Sequence, residues 1–342
     1  MKPPRTIEIV GGGLAGLALG LALRRAGVAV TIFEAGEYPR HRVCGEFIAG
    51  LAPSTIKRLG VGPLLADALH HREVAWFLHG KAARVQRLPE PALGISRHRL
   101  DARLADAFVR AGGDLRLRAR IAQPTPKPGL VFAHGRRRGR PAWLGLKLHV
   151  RDFQLERELE LHLGDDAYLG LAQIENGVVN ACGLFRQRPL AERGPALLLA
   201  YLRECGLSQV AARLEGATVD DASCCAVAAL AFDRTLPRAA DDRIEIGDAC
   251  AMIPPFTGNG MAMAFQSAEA VLAPLVAYAE GTLDWPEACR TAHTAVRRRF
   301  RVRLAAAGAL HPFLLRPRRQ RWLTALNRAR LLPFTPLYAA LH

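Results

Sequence analysis

The first 34 residues switch between two hydrophobic periods. Thr6-Ile7-Glu8-Ile9-Val10 has the alternation of a short buried strand. Gly11-Gly12-Gly13-Leu14-Ala15-Gly16 is a turn, residues 17–26 predict an Ala/Leu-rich helix stopped by Gly27, and residues 28–33 predict a second strand ending at Glu34. Strand, glycine turn, helix and strand in that order make a βαβ unit. Residues 53–69 look helical. Two strand-like runs at 74–79 and 82–88 flank Gly80-Lys81 and predict a hairpin. Residues 99–111 form a strong helix closed by Gly112-Gly113, 114–119 another strand, and the Pro-rich 124–129 a surface connection.

Between 143 and 185 the period becomes two. Leu144, Leu146, Leu148 and Val150 alternate, Leu155, Leu159, Leu161 and Leu163 stand among charged residues, and runs at 168–174 and 178–185 are joined by Glu175-Asn176-Gly177. Asn-Gly favours a tight hairpin because both positions tolerate positive φ. The stretch reads as an antiparallel sheet inserted into a nucleotide-binding fold. A helix at 195–205, strands at 224–232 and 243–246, and a long apolar helix at 257–280 follow. In the tail Val296, Phe300 and Leu304 recur at four-residue spacing among arginines, a Pro-broken stretch spans 310–317, and a second amphipathic stretch contains Trp322 and Leu326.

With 342 residues, 50% of them hydrophobic and 23% charged, the chain has enough apolar side chains for one large or two ordinary domains, which excludes disorder and fibrous repeats. No run of about 18 residues is both apolar and uncharged, so no membrane-spanning helix is predicted. The apolar run 14–23 is short, contains Gly16 and Gly20 and follows a strand. It is therefore not read as a secretory signal, and the expected location is the cytoplasm. The seven cysteines show neither a C-x-x-C pair nor zinc spacing, so reduced thiols and no metal site are expected, with Cys182, Cys205, Cys224 and Cys225 as core residues. The net charge of +16 is local: residues 288–342 hold twelve Arg and no acid, leaving +4 on the rest. A general nucleic-acid binder is not expected, whereas such a tail suits an anionic membrane or an acidic partner.

Chemistry gathers at two places. Gly11, Gly13 and Gly16 stand in G-x-G-x-x-G register between strand and helix, with Leu14 and Ala15 inside the motif and Glu34 eighteen residues beyond it. The first glycine permits the turn, the second lets a pyrophosphate approach the backbone, the third brings helix and strand together, and a terminal acid accepts from ribose hydroxyls. The second place is Ile244-Glu245-Ile246-Gly247-Asp248-Ala249, then Pro254-Pro255-Phe256-Thr257-Gly258-Asn259-Gly260-Met261 and the long helix. Here a strand end delivers a carboxylate suited to a polyol, and a Pro/Gly loop opens a helix whose positive end faces a cleft.

Together these motifs resemble, in order and over nearly the whole chain, the FAD-dependent monooxygenase and geranylgeranyl-reductase superfamily with the p-hydroxybenzoate-hydroxylase type of fold. The resemblance implies an α/β fold: a Rossmann-like FAD-binding domain (1–72, 94–142 and 236–285), an antiparallel-sheet substrate domain (hairpin 73–93 and sheet 143–235), and basic C-terminal helices (286–342). It implies that the first motif and Glu34 hold the ADP half of FAD, that Gly247 and Asp248 hold the ribitol, and that Gly258, Asn259, Gly260 and Met261 meet the flavin's pyrimidine edge. Arg97 matches the arginine that opens a helix near FAD, with Arg99 as rival. Pro39-Arg40-His41-Arg42-Val43-Cys44-Gly45-Glu46 is similar to the P-x-x-K-x-C-G loop of the reductase-like branch, so Arg42 and Cys44 face the substrate side. Cys44 serves either as a small wall or as a thiol, and Glu46 either as a proton carrier or as a surface carboxylate.

Many aromatic hydroxylases have an Asp-Gly motif touching FAD and a transient NAD(P)H. This chain reads Val131-Phe132-Ala133-His134-Gly135-Arg136-Arg137 there, without the carboxylate and without a second dinucleotide fingerprint. Gly145-Leu146-Lys147 and Tyr168-Leu169-Gly170-Leu171 resemble oxidoreductases of polyketide-like or phenolic compounds. The implied activity is FAD-dependent hydroxylation of a lipophilic phenolic or polyketide-like substrate through a flavin C4a-hydroperoxide, with NAD(P)H as transient electron donor. Reduction of isoprenoid or polyene double bonds is the alternative. A non-catalytic basic protein binding membrane or nucleic acid is a third. The tail is expected to dock through Val296, Phe300, Leu304, Trp322 and Leu326, its Arg face either solvated or touching anionic membrane.

Overall fold

The β-branched run at the N-terminus pairs in parallel with the next strand in a computed structural model of the chain, as a βαβ unit requires. β1 (Ile7–Val10), α1 (Leu14–Arg25) and β2 (Val30–Phe33) set Ile7 opposite Val30 and Val10 opposite Phe33. The structure describes residues 5–78, 80–136, 142–230, 242–329 and 334–341, together with 232, 236 and 331; His79, Ala231 and Arg137, included in expectations above, lie outside them.

After β2 come β3 (Phe47–Ile48), α2 (Pro53–Leu59), β4 (Leu69–Leu78), β5 (Lys81–Gly94), α3 (Arg97–Arg110), β6 (Asp114–Arg116) and β7 (Leu130–Phe132). Then follow β8 (Trp143–Arg151), β9 (Leu159–Gly164), β10 (Ala167–Gln173), β11 (Val179–Arg186), α4 (Gly194–Glu204), α5 (Ser208–Glu215), β12 (Thr218–Ala228) and β13 (Ile244–Glu245). The chain ends with α6 (Gly260–Glu280), α7 (Trp285–Leu315), α8 (Pro317–Arg328) and α9 (Phe334–Leu341). The parallel sheet has the order β13-β7-β1-β2-β6, and α1 packs on α3 and α6. The second sheet has the order β12-β8-β11-β10-β9-β4-β5-β3 and is antiparallel except where β4 joins β9. Asn176 (φ 60°) and Gly177 (φ 70°) turn β10 into β11, as the Asn-Gly pair predicts.

Several boundaries differ from expectation for visible reasons. The helix at 53–69 stops at Leu59, because Gly60 turns left-handed (φ 68°). α3 starts at Arg97, where Ser96 Oγ accepts the Arg99 N–H at 3.1 Å. α5 was not expected. The tail breaks at Pro317, inside the expected stretch 310–317, while Pro312 lies in the last turn of α7, where Arg316 N still bonds its carbonyl and Leu314 and Leu315 are buried. α6 is, among the described helices, the one long and apolar enough to cross a membrane, but it is a core helix packed between α1 and α7. Docking of the tail holds for Val296, Phe300 and Leu304, each at most 3% exposed. It fails for Trp322 and Leu326, which α8 turns outward at 71% and 39% exposure.

Candidate active site

The carboxyl ends of β1, β2 and β7 open into one cavity of about 1010 Å³, whose other walls come from the second sheet and from α7 and α9. Ligands of open α/β sheets gather at such strand ends. Gly11, Gly13, Leu14, Ala15, Glu34, Gly247 and Asp248 all line this one space.

The three motif glycines do different work. Gly11 (φ 113°) passes so close to Ala133 that a Cβ would run into its carbonyl. Gly13 would meet nothing within 4 Å, so its face is open to the cavity. Gly16 lies against the Gly11 carbonyl and packs helix on strand. α1 has no side-chain cap, so its first N–H groups point to whatever the cavity holds. Glu34 is 4% exposed and accepts Gly12 N and Gly36 N, each at 2.8 Å, and Arg40 Nη2 at 2.7 Å. Tyr38 donates its hydroxyl to Gly12 O.

Asp248 is exposed and lines the cavity. Surrounding protein raises its carboxyl from the ordinary value, with Arg97, Arg136 and Arg42 pulling the other way. Among the described residues no donor bonds it, which leaves both oxygens for a ligand's hydroxyls. Gly258, Gly260 and Met261 line the same space. Asn259 does not: it is fully buried and donates Nδ2 to Leu341 O, which ties α9 to the loop. Of the helix-opening arginines, Arg97 reaches the cavity and chelates buried Asp101 at 2.7 and 2.8 Å, whereas Arg99 pairs with Asp67 at 2.8 Å. Burial lowers and Asp101 raises the Arg97 guanidinium, and Asp101 wins. Arg42 joins Asp101 at 3.1 Å and sits on the Glu34 side.

Cys44 lines the cavity, and burial pushes its thiol up, so at neutral pH it is a protonated wall group. Glu46 corrects one sequence reading: it is 0% exposed, so it is no surface carboxylate. Its carboxylate accepts Lys147 Nζ at 3.1 Å, His149 Nε2 at 2.6 Å and Arg97 N at 2.9 Å. Burial raises its pKa, but the His149 bond and the Lys147 charge outweigh that and bring it below the ordinary value. Asn180 Nδ2 donates to Cys44 O at 3.0 Å, so the loop is pinned from both sides.

Sequence reasoning missed Lys147, His149, His41 and Asp101. The signal was faint: Lys147 and His149 alternate with Leu146 and Leu148, a pattern that ordinarily means a solvated face, but both faces of β8 are covered. Ligand atoms of His41, His149 and Asp220 come within 4.8 Å of one another, yet Lys147 Nζ, 3.2 Å from His41 Nδ1, already supplies the cation. Of the four cysteines expected in the core, Cys205 is buried, while Cys182 and Cys225 are half-buried in the cavity wall and Cys224 is half-buried outside it.

A family model described as an NAD(P)-binding Rossmann-like domain matches residues 9–68. Among solved structures, FqzB aligns at a TM-score of 0.77 with 18% identity, over 96% of this chain and 89% of that one. The p-nitrophenol 4-monooxygenase PnpA from Pseudomonas putida aligns at 0.76 with 15% identity, over 100% and 97%. PqsL from Pseudomonas aeruginosa, a probable FAD-dependent monooxygenase, aligns at 0.72 with 15% identity, over 94% and 99%. The chain has the fold of FAD-dependent monooxygenases. Two curated relatives match parts of the chain. Menaquinone reductase from Mycobacterium tuberculosis is 28% identical over 118 residues, 33% of this chain and 29% of the relative. Aurachin C monooxygenase/isomerase from Stigmatella aurantiaca is 34% identical over 89 residues, 26% and 23%. Each match thus spans less than a third of the relative's length.

The cavity fits FAD on its own geometry. An open glycine face with uncapped helix N–H groups lies at one end, and an unbonded carboxylate and the Gly258–Met261 turn border the same space.

Proposed function

We propose that the chain is an FAD-dependent monooxygenase acting on a lipophilic phenolic or polyketide-like compound. The supporting observation is the single cavity that joins the dinucleotide-type residues to an apolar wall. In this reading Gly13 and the start of α1 receive the pyrophosphate, Glu34 the ribose, Asp248 the ribitol, and Gly258, Gly260 and Met261 border the ring. FAD bound there supplies two-electron redox chemistry, with dioxygen as co-substrate and reduced nicotinamide as electron source.

The chain's own residues then do three things. Trp76, Leu161, Tyr168, Leu184, Phe256 and Leu314 exclude water from the reacting end and receive an apolar substrate. Arg97 and Arg42, locked on Asp101, present positive charge to the cavity without moving. The Glu46–Lys147–His149 cluster fixes the Cys44-Gly45 wall from behind.

Reduction of an isoprenoid or polyene double bond is the second reading, favoured by the placement of the Cys44-Gly45 loop in the cavity wall and by the relative named menaquinone reductase. Anaerobically reduced protein given oxygen and a panel of lipophilic phenols is expected to yield a hydroxylated product. Peroxide alone with every compound would reject monooxygenation, and a saturated product formed without oxygen would select the reductase. Bleaching of the flavin absorbance by NADH or NADPH tests the electron donor.

A further inference from the structure

Beside exposed Arg301, exposed positions of α7 and its C-cap recur every three or four residues from Arg298 onward: Arg298, Val302, Ala305, Ala309, Phe313 and Arg316. At 100° per residue they fall on one narrow face. Val302 is 59% and Phe313 39% exposed. α8 repeats the arrangement with Arg318, Trp322, Ala325 and Ala329 exposed and Leu326 beside them, and Leu331 beyond the helix is 70% exposed.

A helix on a water-soluble surface turns its apolar stripe inward. α7 already does so with Val296, Phe300, Leu304, Ala307 and Leu314, all buried. Its outer stripe is therefore a second apolar face, bordered by exposed Arg298, Arg301, Arg316, Arg318 and Arg321. Residues 288–342 contain no acidic residue to answer those charges.

We propose that the outer faces of α7 and α8 dock the protein on the headgroup layer of an anionic lipid bilayer, with Trp322, Phe313, Leu326, Val302 and Leu331 entering the interface and the arginines meeting lipid phosphates. Aromatic and aliphatic side chains interleaved with arginine fit a boundary that is apolar within and anionic above. Nucleic acid would satisfy the arginines but leave the apolar stripe in water. A second copy of the chain would set one arginine cluster against another. The inner side of α7 walls the cavity through Leu310 and Leu314, beside α9 with Leu337, Tyr338 and Leu341. An apolar substrate thus enters beside the bilayer, a consequence that rests on the proposed function; docking itself does not.

The test is flotation of the full chain with vesicles of phosphatidylcholine, with and without phosphatidylglycerol. Flotation is expected only with the anionic vesicles and is expected to weaken with salt. The double variant F313S/W322S is expected to lower the partition coefficient by roughly tenfold or more, and R318Q/R321Q by roughly fivefold per arginine. All four side chains are surface groups outside the cavity wall, so flavin content and melting temperature should stay unchanged. Failure to float with anionic vesicles, or flotation undiminished in both variants, overturns the proposal. So does binding to duplex DNA that F313S/W322S leaves intact without any vesicle binding, or a dimer dissolved by F313S/W322S in protein that ignores vesicles. None of these readouts involves flavin chemistry, so a failure here is distinct from a failure of the proposed function.

Discussion

Lys147 holds an ammonium in a place where none of its side chain meets solvent, and it can do so because Glu46 Oε1 stands 3.1 Å away. Breaking such a buried pair on one side leaves an uncompensated charge and costs about 3–5 kcal/mol. The charge is felt by His41, whose imidazole is lowered to about 4, first by burial and then by Lys147, His98 and His149. The folded chain therefore takes up this proton at lower pH than the unfolded chain. Its contribution to stability is complete above pH 6.5 and is lost as pH falls from 6.5 to 4. Replacing His41 by Gln should flatten the fall in melting temperature across that window; a slope equal to that of the unchanged protein would reject the assignment. Gly13, Glu34, Arg97 and Asp248 were legible in the sequence because each belongs to a local pattern with a chemical purpose. The burial of Glu46 was not, because its partners lie on a strand a hundred residues away.

The β1–α1 turn separates two roles of glycine within one element. A methyl group at Gly13 meets open cavity, whereas one at Gly16 meets the Gly11 carbonyl, which is backbone and cannot swing aside. Gly13→Ala is expected to melt at the original temperature without cofactor and to bind FAD on the order of tenfold more weakly. Gly16→Ala is expected to lose about 1–3 kcal/mol of stability even without FAD. Thermal melts and quenching of flavin fluorescence measure the two effects, and equal behaviour of the two variants would contradict this division. Periodicity identified α1, α3, α6 and the β10–β11 hairpin, whose patterns are long or turn-marked. It missed α5, which is two turns long with only Val210, Ala211 and Leu214 buried. It left open which proline of 310–317 breaks the tail, since periodicity cannot tell a proline in a last turn from one that ends a helix.

Across the whole molecule, the cavity takes its walls from both sheets and from the C-terminal helices, so a dinucleotide there would contact parts of the chain far apart in sequence. FAD at a hundredfold excess over its Kd is expected to raise the unfolding free energy by about 2.7 kcal/mol. Calorimetry with and without FAD measures this, while hydrogen exchange should slow both at the β1–α1 turn and at β11. A melting temperature indifferent to FAD would remove the cofactor site, and protection confined to the turn would separate the two sheets.

The amino-acid order alone determined the βαβ unit, the inserted sheet and the two cofactor motifs, because each depends on hydrophobic period, turn chemistry or spacing within a few residues. Only the tertiary structure decided that those motifs border one cavity, that Arg97 and not Arg99 faces it, that Lys147 and Glu46 pair out of reach of water, and that Trp322 points outward. Each of these depends on which face of a distant element covers a side chain, and hydrophobic period names two faces without saying what will lie against either.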